Sequence, residues 1–342
     1  MDLQKVLFDL CTASGVSGSE EPAVNAAKAY FESFSEVNID SNGNMFAVLG
    51  NHNADKTILL DAHIDSIGLI VTDINENGFV KVDKCGGIDI RTLQDSKLYL
   101  QKNREITGTV CCLPPHLSDG KEDTAVSLDK TYVDFGMSEE EIKKVISIGD
   151  VLAFDVKPKM LLNNRITAPA LDNRCSIAAL IRCAELLSTE QLEYKVIIML
   201  SVQEETFGTG AKTGAFSVDA DEAIAVDVSF ASQPDISGQY SKIEIGKGPM
   251  ICISPILNRE MSDKLISTAK NAQLPYQLEP VSGATGTNAD SIAVSKCGVK
   301  TAVVSIPQRY MHTPSEVVSI DDVENTAQLI YQYIKCGGAF NA

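Results

Sequence analysis

Short apolar runs rich in β-branched residues recur along the chain and predict buried strands. They occupy residues 57–60, 195–202, 223–226 and 301–306. Continuous runs of this length are typical of parallel strands covered on both faces. Helical periodicity lies between or after the later runs, at about residues 173–188, 259–272 and 320–335. This alternation predicts an α/β fold with a doubly wound, mainly parallel sheet.

The first 50 residues carry a different pattern. Helical periodicity at residues 2–12 and 21–34 is interrupted by a segment rich in Gly and Ser, so we expect two surface helices. Asn42 and Gly43 then separate strand-like stretches at 37–39 and 45–49, which is a strong hairpin signal.

Residues 67–164 show a third pattern. Many short β-like pieces are punctuated by Gly, Asn and Asp, and only residues 138–146 look helical. This texture predicts a smaller all-β, barrel-like domain inserted into the α/β domain. Residues 1–66 and 165–342 would then form a discontinuous α/β domain on either side of the insert.

Polar residues follow the buried runs. In an open α/β sheet, ligands bind outside the carboxyl ends of the strands, so these side chains should converge. Asp172 joins them because it would lie where the chain enters the helix that begins near Asn173. The candidate set is His63, Asp65, Asp172, Glu204, Glu205, Asp227 and His312.

Converging carboxylates require a cation. Two unit charges ~4 Å apart repel by about 4 kcal/mol at an effective dielectric of about 20, and neither Lys nor Arg is prominent at the predicted strand ends. Carboxylates and imidazoles are good ligands for borderline divalent metals. Two metals that share one carboxylate would use five ligands and leave room for a bridging water, the usual arrangement for metal-assisted hydrolysis.

Simpler interpretations apply to each residue taken alone. A histidine after a strand is more often structural than a ligand, and a Glu pair is usually surface charge. The joint pattern favours a metal site because the acids and imidazoles end separate buried runs. His52 and His116 have no carboxylate partners nearby in sequence, and we expect neither to bind metal.

Two loops carry weaker signals. Residues 208–213 resemble a phosphate-binding loop, but the full GxxxxGK[ST] pattern is missing, so we do not expect nucleotide binding. By composition, residues 282–287 form a flexible loop, and this loop could also be a wall of the substrate site.

The net charge and the cysteine content limit the binding partners and the cellular compartment that we expect. A formal net charge of −17 opposes binding to nucleic acid and to anionic lipid. The nine cysteines form no CxxC pair and predict reduced thiols. We find neither a secretory signal nor an apolar stretch of about 18 residues. We therefore expect a cytoplasmic protein without nucleic-acid or membrane partners.

Taken together, these motifs resemble the tetrahedral aminopeptidases, dinuclear metallopeptidases that include glutamyl and deblocking aminopeptidases. The likeness covers nearly the whole chain, from residues 14–18 to the motif at 312–316. It implies a metal-dependent aminopeptidase that hydrolyses the N-terminal peptide bond of short peptides with a free N-terminus. It also implies two divalent metal ions per subunit, zinc or cobalt, with manganese as a third option.

The resemblance implies a role for each candidate residue. The five metal ligands would be His63 and Asp227 on one metal, Glu205 and His312 on the other, and Asp172 as the bridge. Glu204 would be the general base, and Asp65 would contact the nitrogen of His63 that does not bind metal. Both roles agree with general chemistry, since a carboxylate beside an activated water can relay its proton and a carboxylate behind a ligating imidazole fixes its tautomer.

Three positions depart from the family pattern. Ser66 stands where a Glu commonly follows the His-x-Asp motif, and Phe207 stands where Gly is frequent after the Glu pair. Asn288 replaces a frequent Asp in the loop thought to shape the substrate site. None of the three is an expected ligand, so they bear on substrate preference and efficiency rather than on metal binding.

Three alternative functions stay open. A deacylase or dipeptidase would use similar ligands, but those enzymes carry their extra domain after the bridging Asp and the Glu pair, whereas here about 100 residues separate His63 from Asp172. Some relatives are labelled endoglucanases, although glycosidases need a carboxylate pair and no histidine-metal set. A catalytically inactive scaffold would be expected to have lost ligands, and this chain keeps all five and the base.

The predicted insert holds no candidate ligand or base, so its role lies elsewhere. It could be a lid over the active site. In the family that the chain resembles, such an insert helps to build hollow particles. The resemblance therefore implies a homo-oligomer, a dodecamer built from dimers.

Overall fold

The structure is a computed structural model that describes residues 1–113, 115–117, 127–234 and 236–340. Residues 118–126 of the predicted insert lie outside the described part. The helices are α1 (Leu3–Thr12), α2 (Glu21–Phe31), α3 (Glu139–Ile142), α4 (Leu171–Leu187), α5 (Thr209–Val218), α6 (Arg259–Asn271), α7 (Ala289–Ile292) and α8 (Ile320–Lys335).

The strands form three sheets. Those of the first half are β1 (Glu36–Ile39), β2 (Met45–Gly50), β3 (Thr57–His63), β4 (Gly68–Ile74), β5 (Val80–Cys85), β6 (Lys97–Leu100), β7 (Asn103–Val110), β8 (Tyr132–Asp134) and β9 (Val151–Phe154). Those of the second half are β10 (Lys159–Leu161), β11 (Arg165–Ala168), β12 (Lys195–Ser201), β13 (Glu222–Phe230), β14 (Met250–Ile253), β15 (Gln277–Pro280), β16 (Lys300–Gln308) and β17 (Glu316–Ser319).

The largest sheet has eight strands in the order β1-β2-β12-β3-β13-β16-β14-β15. Its four central strands, β12, β3, β13 and β16, are parallel, whereas β2 and β14 join them antiparallel. The predicted α/β fold with a mainly parallel sheet is confirmed, and so is the hairpin around Asn42 and Gly43, which forms the β1–β2 edge.

Helices cover both faces of this sheet, which explains the uninterrupted apolar runs. All seven residues of β3 are buried. Ile58 and Leu60 belong to the core on the side of α1, α4 and α8, while Leu59 packs on the opposite side with Ala211 of α5 and Ile292 of α7. A strand between two helical layers needs apolar side chains at consecutive positions.

The inserted β-structure is a closed six-stranded barrel in the order β4-β5-β8-β7-β6-β9. It has a core of its own, built from side chains such as Leu69, Val80, Leu98 and Val133. The fold-class prediction of an inserted barrel is confirmed. β10 lies outside the barrel, in a three-stranded sheet with β11 and β17.

Some elements differ from the sequence prediction. Residues 208–213, which resemble a phosphate-binding loop in sequence, lead into α5, a helix that was not predicted. The expected helix at 138–146 is limited to α3. β13 is nine residues long, so Asp227 lies within the strand rather than after it. No helix in the described ranges is long and apolar enough to cross a membrane.

Candidate metal centre

The carboxyl ends of the central strands carry four of the candidate residues. His63 is the last residue of β3, and Glu204 and Glu205 occupy the turn that follows β12. Asp227 comes two residues after Ala225, the last residue of β13 that pairs with β3. Because these three strands are parallel neighbours, the four side chains lie at one edge of the sheet.

Asp172 and His312 reach the same edge from irregular backbone. Asp172 lies in the first turn of α4, where its φ and ψ of −77° and 102° are not helical. His312 lies between β16 and β17 with a φ of 61°, in the left-handed region that few non-glycine residues adopt. Neither conformation can be read from the periodicity of the flanking elements.

The candidate residues form two groups of three metal-binding side chains. In each group the ligand atoms lie within 4.8 Å of one another, and the groups are His63, Asp172 and Asp227, and Asp172, Glu205 and His312. His63 Nε2 lies 3.1 Å from Asp172 Oδ1, and His312 Nε2 lies 3.4 Å from Asp172 Oδ2. Each oxygen of Asp172 therefore faces a different imidazole, as a bridging carboxylate requires.

The carboxylates of these groups are buried without a permanent cation beside them. The side chains of Asp172, Glu205 and Asp227 are 7, 3 and 9% exposed. Within the described residues, no lysine or arginine nitrogen lies within 4.0 Å of their oxygens. Burial and repulsion from Asp172 raise the pKa of Glu205 and Asp227 well above the usual carboxylate range.

The neighbouring carboxylates favour the charged form of the two imidazoles. Burial would lower the pKa of His312, but Asp172 and Glu205 outweigh it and raise that pKa to about 10. Burial likewise opposes the charged form of His63, whose pKa is nevertheless raised well above 6.5 by hydrogen bonds with Asp172 and Asp65. For Asp172, burial is outweighed by its hydrogen bonds with His312 and His63, which lower its pKa.

These pKa shifts describe a group of buried carboxylates that favours positive charge at its centre. Buried carboxylates are costly unless they are paired or bind a metal. The ligand atoms are imidazole nitrogens and carboxylate oxygens, the set that suits zinc and neighbouring divalent metals. The residues therefore fit two such ions, with Asp172 shared between them.

Asp65 lies behind both His63 and the Glu pair. Its two carboxylate oxygens accept the backbone N–H groups of Glu204 and Glu205, at 3.0 and 3.1 Å. Its Oδ1 lies 3.4 Å from Nδ1 of His63, and its main-chain oxygen lies 3.3 Å from the same nitrogen. One buried carboxylate thus contacts the imidazole and holds the turn that presents Glu204.

Glu316 has a role that the sequence pattern did not indicate. It is 1% exposed, and its Oε2 and Oε1 accept the backbone N–H groups of Asp172 and His312, at 3.0 and 2.9 Å. The side chain therefore fixes the spacing between the shared carboxylate and one imidazole. Its place in the motif at 312–316 was the only available signal.

The two histidines interpreted as non-ligands lie elsewhere. His52 and His116 are both exposed. Neither belongs to a potential metal-binding group among the described residues. The four histidines of the chain thus divide into two at the sheet edge and two at the surface.

The three departures from the family pattern have different environments. Ser66 is buried and donates its hydroxyl to the carbonyl of Gly15. Asn288 is also buried, where its amide donates to Asp61 Oδ2 and Ser201 Oγ, both at 2.8 Å. Phe207, by contrast, is 74% exposed.

Comparisons with known proteins agree with this geometry. Residues 43–329 match the family model described as M42 glutamyl aminopeptidase. The chain is 35% identical over 332 residues to the lysyl aminopeptidase of Pyrococcus furiosus, covering 95% of this chain and 94% of that protein.

Solved structures extend the likeness to the whole fold. The aminopeptidase APDkam598 of Desulfurococcus kamchatkensis superposes with a TM-score of 0.91 at 31% identity, over 98% of this chain and 95% of its own. The TET1 peptidase of Pyrococcus horikoshii, which can assemble into a tetrahedron or a large octahedral shell, superposes with a TM-score of 0.86 at 28% identity, over 97% and 99% of the two chains. The resemblance stated from the sequence is confirmed: the chain belongs to the M42 glutamyl aminopeptidase family, and it is an aminopeptidase.

Proposed function

We propose that this aminopeptidase works with two divalent metal ions and that Asp172 is shared between them. The observation that carries the proposal is the division of the Asp172 carboxylate, with one oxygen toward His63 and the other toward His312. His63 and Asp227 would complete the first site. Glu205 and His312 would complete the second.

Zinc or cobalt suits this ligand set, with manganese as a third option. Two imidazoles and three carboxylates offer no thiolate, which keeps the site open to several borderline divalent ions. Ligand type alone does not select among them, because availability in the cell and affinity act together.

The metals and the residues around them would have separate roles in hydrolysis. When bound, the two metals would supply Lewis-acid activation of the water and of the scissile carbonyl. Glu204 would take the proton from the attacking water and give it to the leaving amine. Burial and the negative charges of Asp172 and Asp65 outweigh the imidazoles and raise the pKa of Glu204, as suits a base that must take a proton from water.

The substrates would be short peptides with a free N-terminus. The family model and the similar lysyl aminopeptidase of Pyrococcus furiosus support this substrate class, since an aminopeptidase acts at a free N-terminus. Phe207 lies two residues beyond the Glu pair and is largely exposed, so we place it where the first side chains of the peptide pass.

We propose that residues 1–66 and 165–342 form the catalytic domain and that residues 67–164 form an oligomerisation domain. The assembly would be a homo-oligomer, a dodecamer built from dimers; the similar structure described as a PhTET1-12s dodecamer supports the subunit number. Several of the most exposed apolar side chains lie between residues 67 and 164. Ile148, 70% exposed, precedes β9 of the barrel, and Leu162, 87% exposed, lies between β10 and β11. The nine cysteines are all unpaired, which supports a reducing, cytoplasmic setting.

Activity should require both a divalent metal and a free α-amino group. Aminoacyl chromogenic amides, assayed with zinc, cobalt or manganese, should be cleaved, and their N-acetylated counterparts should not. Exhaustive chelation should abolish cleavage, because it removes the metals that would activate the water and the scissile carbonyl. Added metal should restore cleavage. Full activity after chelation would refute the metal mechanism, and metal-loaded protein without activity would favour an inactive scaffold.

The substitution Glu204→Gln should lower kcat by about two to four orders of magnitude, the range for loss of a general base. Metal content, measured by mass spectrometry, should stay at two ions per chain because Glu204 is not an expected ligand. Glu205→Gln is the matched control and should lose metal. A Glu204→Gln enzyme with reduced metal and high residual turnover would reverse the two assignments.

The substitution Glu316→Gln should weaken metal binding by about 10- to 100-fold, the usual effect of losing a group that orients ligands. An amide offers one acceptor for the two N–H groups of Asp172 and His312 and turns its own NH2 toward the other. Equilibrium dialysis against zinc measures the effect. Glu279→Gln, a buried glutamate that accepts from Ser229 and Ser305 instead, should bind metal as the wild type does, and wild-type affinity in Glu316→Gln would count against this role.

Light scattering should show the intact, metal-loaded chain as a large oligomer. Replacing Ile148 and Leu162 together by Asp should lower the mass, because charge at a buried contact is costly. Phe216→Asp with Val294→Asp is the control, since both residues are exposed but lie outside the insert. A monodisperse monomer of the active wild type would leave the lid as the better account of the insert.

A further inference from the structure

One side of the second metal group is formed by the barrel. Nδ1 of His312 lies 2.8 Å from the main-chain oxygen of Gly87, which follows β5 in the barrel. A carbonyl oxygen can only accept a hydrogen bond, so Nδ1 must carry the proton. In the neutral imidazole, Nε2 then holds the free lone pair, and this atom lies 3.4 Å from both Asp172 Oδ2 and Glu205 Oε2.

The two imidazoles of the site are held from different parts of the chain. Nδ1 of His63 faces the carboxylate and the main-chain oxygen of Asp65, two residues along its own segment. Nδ1 of His312 faces Gly87, which is 225 residues away in sequence. The first site is therefore oriented from within the α/β part, whereas the second depends on the position of the barrel.

The approach of the barrel is close enough to require glycine. A Cβ atom at Gly87 would lie 2.7 Å from Nδ1 and 3.0 Å from Cε1 of His312. At the preceding Gly86, whose φ is +85°, a Cβ atom would lie 3.1 Å from Oε2 of Glu205. The side chains of His312 and Glu205 thus lie against bare backbone, and any side chain at position 87 would displace the imidazole.

We infer that the inserted barrel is part of the metal centre: the Gly87 carbonyl is a positioning group that selects the metal-binding tautomer of His312. The inference rests on the two-metal function proposed above. Because the hydrogen bond to His312 is accepted by a main-chain carbonyl, it depends on how the barrel docks rather than on a side chain at position 87. Occupancy of the second metal site and docking of the barrel are then coupled, each favouring the other.

The substitution Gly87→Ala tests this coupling by metal titration. Metal-free protein is titrated with Co²⁺ and followed by visible absorption, and bound metal is counted after equilibrium dialysis. The wild type should bind two ions. Gly87→Ala should bind the first as the wild type does and the second about 10- to 100-fold more weakly, the usual result of losing a hydrogen bond to a ligating histidine. Its cobalt spectrum should change at the second equivalent only.

Gly108→Ala is the matched control. A Cβ atom there would meet Asp134 and Phe135 within the barrel at 2.9 Å, so it strains the same domain without touching the site. Two ions bound with wild-type affinity by Gly87→Ala would overturn the inference, and so would equal weakening in both variants. A wild type that binds fewer than two ions would instead refute the two-metal proposal itself.

A second measurement needs no change at position 87. The chain has four histidines, so solid-state NMR of zinc-loaded protein labelled with ¹⁵N-histidine can resolve each ring, and the His312 signals are those missing from His312→Asn. We expect His312 to carry its proton on Nδ1 and to bind zinc through Nε2. The opposite tautomer, with zinc on Nδ1, would overturn the inference even if Gly87→Ala failed to fold.

Discussion

The structure depends on one electrostatic constraint, the gathering of buried carboxylates around Asp172. Removing charged groups from water costs several kcal/mol per ion in folded proteins, and no lysine or arginine nitrogen in the described residues lies within 4.0 Å of these carboxylates. The divalent metals that we propose would offset this cost, because such an ion supplies more charge in less space than a side chain does. The surrounding hydrogen bonds serve to hold ligands in place for that charge.

The supporting contacts are mostly made to backbone atoms. Asp65 accepts the N–H groups of the Glu pair, and Glu316 accepts those of Asp172 and His312. Contacts of this kind fix the path of the backbone, and the backbone in turn sets the positions of the candidate ligand side chains. They also satisfy buried N–H groups in irregular segments that make no strand or helix hydrogen bonds of their own.

Much of this site could be predicted from sequence because strand ends coincide with changes from apolar to acidic residues. The limits of prediction are local. Glycine weakens a helix, yet α5 contains Gly210 and Gly214 and needs both: a Cβ atom at Gly210 would lie 2.4 Å from the backbone of Val202, and one at Gly214 would lie 2.2 Å from Met199 Sδ. Tertiary packing therefore overrode helix propensity. The Gly87 contact was hidden for another reason, because a main-chain carbonyl has no signature in a sequence.

The position of the insert in the chain explains how the barrel reaches the candidate metal ligands. The chain leaves the sheet just after His63 and Asp65 and returns through β11, which ends at Ala168, four residues before Asp172. Both points of attachment therefore adjoin the ligand edge, and a barrel held there must lie against the metal site. Gln101 of the barrel adds to this docking, since it accepts from Val16 N and donates to the carbonyl of Ser19. An insert at this point of the fold affects the metal centre, because any shift of the barrel moves the Gly87 carbonyl that we propose orients His312.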